Sequence, residues 1–188
     1  WAQTTEMVTI KRGTYVPLYG STDKKPVQVE GFKIDVYPVT NAQFLNFVKK
    51  YPDYSRSKIK GLFADKSYLA TWENDYSFGK INKSNSPVTN VSWFAAKKYC
   101  ECQGKRLPTM DEWEYVAMAD EKRIDARTKE QFNKYILAWY EKNQTYNNAI
   151  GQTYKNYWGV YDMHGLIWEW TYDFNSIFLS GESRKDKD

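Results

Sequence analysis

Apolar and polar positions alternate over 7–13 (MVTIKRG) and the run stops at glycine, which predicts a strand. Val27, Val29 and the stretch 32–36 predict a second strand, placed to pair with the first. Thr40 followed three residues later by Gln43 forms a capping box, and Phe44, Phe47 and Val48 then share one helical face. Residues 51–88 carry no clean period and read as one irregular region, a length of loop that is uncommon unless functional or characteristic of a family. Ser92 caps a helix through Cys100 with Trp93, Ala96 and Cys100 on one face. Thr109–Glu112 is a second capping box, with Trp113, Val116 and Ala117 inward, and Thr128–Gln131 repeats the device. Phe132, Tyr135, Ile136 and Trp139, spaced i, i+3, i+4, i+7, give the strongest helical signal. Beyond Asn143 the chain is irregular again, around Gly151, Gly159 and Gly165, and the charge-rich tail 181–188 is expected to fray. No repeat or linker divides the chain, so 1–188 reads as one domain.

Composition changes this picture in one respect. Leu, Ile, Val and Phe together fall just short of a fifth of the 188 residues, a fraction typical of disorder when net charge is high. Here the net charge is only +4, and 8 Trp and 16 Tyr replace the missing aliphatic bulk, predicting an aromatic core. Basic and acidic residues are interspersed, the signature of a solvated surface, and no nucleic-acid partner is expected. No apolar run approaches the ~18 residues that cross a bilayer.

The single histidine, His164, excludes three-histidine zinc, two-histidine iron and H-E-x-x-H sites built within the chain. In its glycine-flanked turn it reads as solvent-facing, and no nucleophile elbow accompanies it. Cys100 and Cys102 stand two apart on a helix, where side chains diverge, so they read as two small buried hydrophobes or one free thiol. Arg106, just before a helix start rich in glutamate, is expected to pair with a carboxylate; for a buried pair, losing one partner costs ~3–5 kcal/mol. Trp93, Trp113, Trp168 and Trp170 read as core more readily than as a ligand platform. The stretch DMHGLIWE places Asp162 and Glu169 seven positions apart around Gly165, which suits a calcium loop; a turn with both carboxylates bonded to backbone N–H, Arg or Lys is the alternative.

Four stretches, IDVYPVTNAQFLNFV (34–48), PVTNVSWFAAKKYC (87–100), GKRLPTMDEWEY (104–115) and GVYDMHGLIWEW (159–170), resemble in order and spacing the formylglycine-generating enzyme, or sulfatase-modifying factor, family. The resemblance implies an α+β, C-type-lectin-like fold with little regular secondary structure. It implies Trp168 at the border of a pocket. It implies a structural calcium held by side-chain oxygens of Asp162 and Glu169 and carbonyls of Gly165 and Ile167. In the family, two thiolates after the W-E-W motif bind copper. This chain has no cysteine after Cys102, so copper is expected only if a C-terminal segment beyond Asp188 supplies the ligands, and the domain reads as incomplete at that end. Leu166 stands where the family usually has Asn, and the 148–156 segment is short. The 159–170 stretch also looks like the branch that accompanies copper nitrite reductases.

Two functions stay open at this level. One is a protein-modifying or metalloprotein-maturation factor acting on a partner protein, with copper-dependent oxidation as the family chemistry. The other is a non-catalytic module on the same scaffold that binds a peptide or glycan. The resemblance implies an extracytoplasmic location, periplasmic or secreted.

Overall fold

Short runs rich in β-branched residues, with Tyr15 and Phe32, build four strands: β1 (Met7–Ile10), β2 (Gly13–Tyr15), β3 (Val27–Val29) and β4 (Phe32–Asp35). The computed structural model describes residues 5–18 and 25–173; the charged tail lies outside them. β1 pairs antiparallel with β4, from Met7 opposite Asp35 to Ile10 opposite Phe32. β2 pairs with β3, from Gly13 opposite Val29 to Tyr15 opposite Val27. The register runs unchanged from one pair to the other, so the four strands form one bent ribbon. The strand expected over 7–13 is therefore broken at Lys11–Arg12. The bend presses Gly13 against the Tyr115 hydroxyl, where any Cβ would collide.

Four helices follow: α1 (Asn41–Lys50), α2 (Trp93–Cys102), α3 (Met110–Ala117) and α4 (Glu130–Tyr140). The Thr40 hydroxyl accepts from the Gln43 N–H at 3.2 Å and the Gln43 side chain from the Thr40 N–H at 2.8 Å, completing the predicted box. Thr109 and Glu112 reciprocate in the same way at 3.1 and 2.9 Å. Ser92 caps α2 through the Ala95 N–H. The third device fails: α4 begins after Lys129, with no side-chain cap. A turn from the Lys129 N–H to the Ala126 carbonyl, together with the Lys129 ammonium pinned on Asp120, fixes the entry one residue past Thr128. On α2 the buried face is Ala95 and Tyr99 instead of Trp93, Ala96 and Cys100.

Between α1 and α2 the only regular piece is a 3-10 turn, Pro52–Tyr54. Asn41 anchors this long region: its amide donates to the carbonyls of Lys83 (3.0 Å) and Ser86 (3.2 Å), and its oxygen accepts from the buried Trp72 indole at 3.2 Å. The fold is thus α+β with two aromatic cores. One joins the ribbon to α3 through Ile10, Tyr15, Val29, Tyr115, Val116 and Val160. The other joins α1 to α2 through Phe44, Phe47, Tyr68, Trp72 and Tyr99. Among the described residues, no helix is long and apolar enough to cross a membrane.

Candidate functional site: the Trp168–Asp173 strap

The segment W-E-W-T-Y-D lies across the N-terminal ends of α2 and α3, tied to both. Glu169 accepts from the Trp113 indole N–H at 2.7 Å. Trp93, at the start of α2, donates its indole N–H to the Thr171 carbonyl at 2.9 Å. The Trp170 indole donates to the Val91 carbonyl at 2.9 Å, and the Tyr172 N–H to the Pro108 carbonyl at 2.7 Å. The Asp173 carboxylate accepts from the Met110 N–H at 2.8 Å, at the first turn of α3, where a negative charge is favoured. Glu169, Thr171 and Asp173 each bond to the helices, while Trp168, Trp170 and Tyr172 are 86%, 37% and 49% exposed. The expectation that Trp168 and Trp170 are core is therefore corrected. Bonds at Glu169, Thr171 and Asp173 tie the strap down and leave the Trp168 ring outside, while Trp170 is tied by its own indole N–H and stays partly exposed. The Trp168 ring meets Tyr140 of α4 at 5.6 Å, and Lys97 lies over Trp93 and Tyr172.

Beneath the strap, His164 is half-buried, which corrects its reading as solvent-facing. Its Nε2 lies 2.7 Å from the Ala117 carbonyl, which requires the proton on that nitrogen, and its ring is edged by Trp113 and Phe132. Burial lowers its pKa, the carbonyl contact opposing. A neutral, fixed imidazole holds the turn in place.

The residues expected to hold calcium divide into two settings. Asp162 is 1% exposed and its carboxylate accepts from the Gly151 N–H, the Thr153 N–H and the Thr153 hydroxyl. Gly165 turns the chain at a φ of 112° directly beneath Trp139. Ile167 is half-buried and Glu169 reaches Trp113. Desolvation by the surrounding protein pushes the Glu169 carboxyl up to about 7, with Trp113 opposing and the Asp162 charge adding. The residue itself is exposed, so water screens that push; what stands is the direction, a group that holds its proton more readily than a free glutamate. No cationic side chain among the described residues pairs with Asp162 or Glu169. Among them, too, no three His, Cys, Asp or Glu side chains converge. An ion here has to draw on backbone carbonyls.

Cys100 and Cys102 are both free thiols, half-buried on α2. Burial, with the Asp35 charge adding and Lys105 opposing, pushes the Cys100 thiol up to about 11. Cys102 engages the Tyr51 hydroxyl instead. This pair does not fit a dithiolate copper site, because the side chains diverge and Cys100 resists deprotonation. Arg106 forms its expected pair, bidentate to Glu112 at 2.7 and 2.6 Å, but the arginine side chain is 55% exposed, so the pair is not a buried one.

Two participants escaped the sequence reading. Trp113 as the partner of Glu169, 56 positions away, left no local signal. Tyr140 was accessible in principle: the phase that buries Phe132 and Trp139 turns Leu137 and Tyr140 outward.

Residues 2–184 match the sulfatase-modifying factor enzyme 1-like domain. The chain belongs to that family. It is 27% identical over 204 residues to the formylglycine-generating enzyme of Mus musculus, covering 87% of this chain and 54% of the relative. It is 30% identical over 190 residues to the inactive C-alpha-formylglycine-generating enzyme 2 of Bos taurus, covering 81% and 63%. It is also 29% identical over 187 residues to the serine/threonine-protein kinase pkn1 of Chlamydia caviae, covering 92% of this chain and 29% of that protein. The chain thus spans less than two thirds of the length of these relatives. One of these relatives is named an enzyme and another an inactive one, so family membership alone does not decide activity.

Proposed function

We propose that this sulfatase-modifying-factor domain engages a partner protein at the strap, as part of a factor that modifies that partner or matures it as a metalloprotein. The observation that carries the reading is Trp168. A ring 86% exposed, backed by Tyr140 and held on a segment tied down at Glu169, Thr171 and Asp173, offers a large apolar contact at little ordering cost. Oxidation of a substrate cysteine would require thiolates from outside residues 5–173, and no step of it is assigned to Cys100 or Cys102. The scaffold we infer is the C-type-lectin-like one: short strands, few helices and long irregular connections on a family member favour it. The location we propose is extracytoplasmic, in keeping with a factor that acts on exported proteins.

We also propose a structural calcium at Asp162, Gly165, Ile167 and Glu169. Support comes from two neighbouring carboxylates with no cationic partner among the described residues and a glycine whose positive φ turns the chain sharply between them. The ion would stiffen the turn that leads into the strap.

The test is binding of cysteine-containing peptides and of arrayed glycans to the chain and to Trp168→Ala, with mass spectrometry for conversion of cysteine to formylglycine by the full protein in copper. Peptide binding lost in the variant supports the reading. Glycan binding alone points to the non-catalytic module, and binding indifferent to Trp168 removes the strap from consideration.

A further inference from the structure

Away from the strap, between β4, α1 and α2, a cavity of about 240 Å³ opens to solvent. Tyr99 of α2 lines it, as do Asp35 of β4 and Gln43 of α1, with Glu6 and Tyr37 near the mouth. Tyr99 is 5% exposed, yet its hydroxyl has no hydrogen-bond partner among the described residues and is not sealed from solvent. In the wall of an open cavity, this hydroxyl is free to bond to whatever enters. The Asp35 carboxylate is near enough to add to the burial that raises the Tyr99 pKa.

The remaining polar groups set the chemistry. Asp35 Oδ1 accepts from the Lys105 ammonium at 2.6 Å and from the Thr5 hydroxyl, leaving Oδ2 without a partner among the described residues. Glu6 adds a second carboxylate, exposed at the mouth. The Gln43 oxygen belongs to the capping box. Tyr37 offers a ring held flat by stacking on Tyr161, 5.1 Å between centroids. Lys105 neutralises one carboxylate, and the other leaves the lining net negative. Acceptors, a phenol and an aromatic face match an organic cation, and the volume is below that of a drug-sized site, so it suits a group the size of one side chain.

We propose that this cavity binds a small organic cation of the guanidinium or alkylammonium type, with Tyr99, Asp35 and Glu6 as its acceptors and Tyr37 as its aromatic wall. The cation is either a free small molecule or the side chain of an arginine or lysine in a partner.

The experiment titrates methylguanidinium, with neutral methylurea as its control, into the 15N-labelled chain, following the amides of 35–37 and 99 and the Gln43 side-chain amide. Tyr99→Phe and Glu6→Gln are titrated alongside. The expected result is saturable shifts at these groups with methylguanidinium and none with methylurea. Tyr99→Phe should melt with the parent, since the hydroxyl bonds to none of the described residues, and bind about tenfold more weakly. Glu6→Gln should weaken binding by several-fold. A glycyl-arginyl-glycine amide arm separates the sources: shifts at the same groups assign the cation to a partner's side chain, and exclusion of the peptide with retention of methylguanidinium assigns it to a free molecule. Absence of saturable shifts, equal response to methylurea, or unchanged binding in Tyr99→Phe overturns the proposal.

Discussion

Glu169 and Trp113, one on an irregular strap and the other in the first turns of α3, are joined by a single 2.7 Å hydrogen bond from indole to carboxylate. Trp113 also edges against His164, so the same side chain supports the strap from below and the turn behind it. A ring substitution separates the two roles. Trp113→Phe keeps the packing and deletes the N–H. The exposed Glu169 can recover water, so the loss is expected to be about 1 kcal/mol, at the low end for a bond to a charged acceptor. Amide exchange at Tyr172, whose N–H holds the strap to Pro108, should accelerate at the same time. Unchanged exchange would show that the other strap bonds suffice.

The Arg106–Glu112 pair calls for a smaller figure than a buried pair would. Glu112 is well covered and the Arg106 hydrogen bonds help hold its carboxyl below the usual range against desolvation, but the arginine side chain is 55% exposed. Glu112 also keeps its Thr109 N–H when the arginine is gone. Arg106→Ala should therefore cost about 1 kcal/mol in urea denaturation, and Arg106→Lys most of that, since the bidentate geometry is what an ammonium cannot reproduce. A loss of several kcal/mol would mean that Arg106 supports more than this pair.

What the sequence revealed divides by the range of the physics. The capping boxes at Thr40 and Thr109 were legible because both partners lie within four residues. The one at Thr128 failed because contacts to Ala126 and Asp120 outside the motif shifted the helix start. The family was legible from four motifs, and so was the α+β class. The orientation of Trp168 was not, because large aromatic rings are usually buried; here inward bonds of Glu169 and Asp173, to residues tens of positions away, decide which side of the strap faces water. The Tyr99 cavity leaves no trace in one dimension, since β4, α1 and α2 each contribute only a residue or two.

Cys100 is expected to be nearly inert at neutral pH. With its thiol pushed up to about 11 by burial, the thiolate fraction at pH 8 is about two orders of magnitude below that of a free cysteine. Alkylation of the native chain, resolved by peptide mass spectrometry, should rise about tenfold per pH unit toward that value and jump on denaturation. The sign for stability follows. The fold favours the protonated thiol, so this contribution is complete below the unfolded pKa near 8.5 and is lost as pH rises through about 11. Rapid alkylation of Cys100 at pH 7 would contradict its burial.

Calcium should raise the melting temperature of the parent relative to chelator, since a ligand of the native state stabilises by mass action. Asp162→Ala melts lower in both conditions, because three hydrogen bonds are lost, and the informative quantity is the difference between them. That difference should vanish in the variant. A parent indifferent to calcium leaves Asp162 as the partner of the Gly151–Thr153 turn alone.

Gly165 is the position least tolerant of a methyl group. Its φ of 112° lies where L side chains are strained, and a Cβ built there comes within 2.7 Å of two carbons of the Trp139 ring. Trp139 is 9% exposed on α4, and Lys142 lies over its ring at 3.8 Å, so the indole has little freedom to retreat. Backbone strain and overpacking act together, and Gly165→Ala should cost about 2–4 kcal/mol. Gly104 supplies the control. It too has positive φ, 70°, but a Cβ there meets nothing within 4 Å, so Gly104→Ala bears the backbone penalty alone, about 1–2 kcal/mol. Denaturant midpoints of the two variants, measured side by side, separate strain from collision. Equal losses would mean that Trp139 moves aside, and the turn beneath the strap would then be softer than its packing implies.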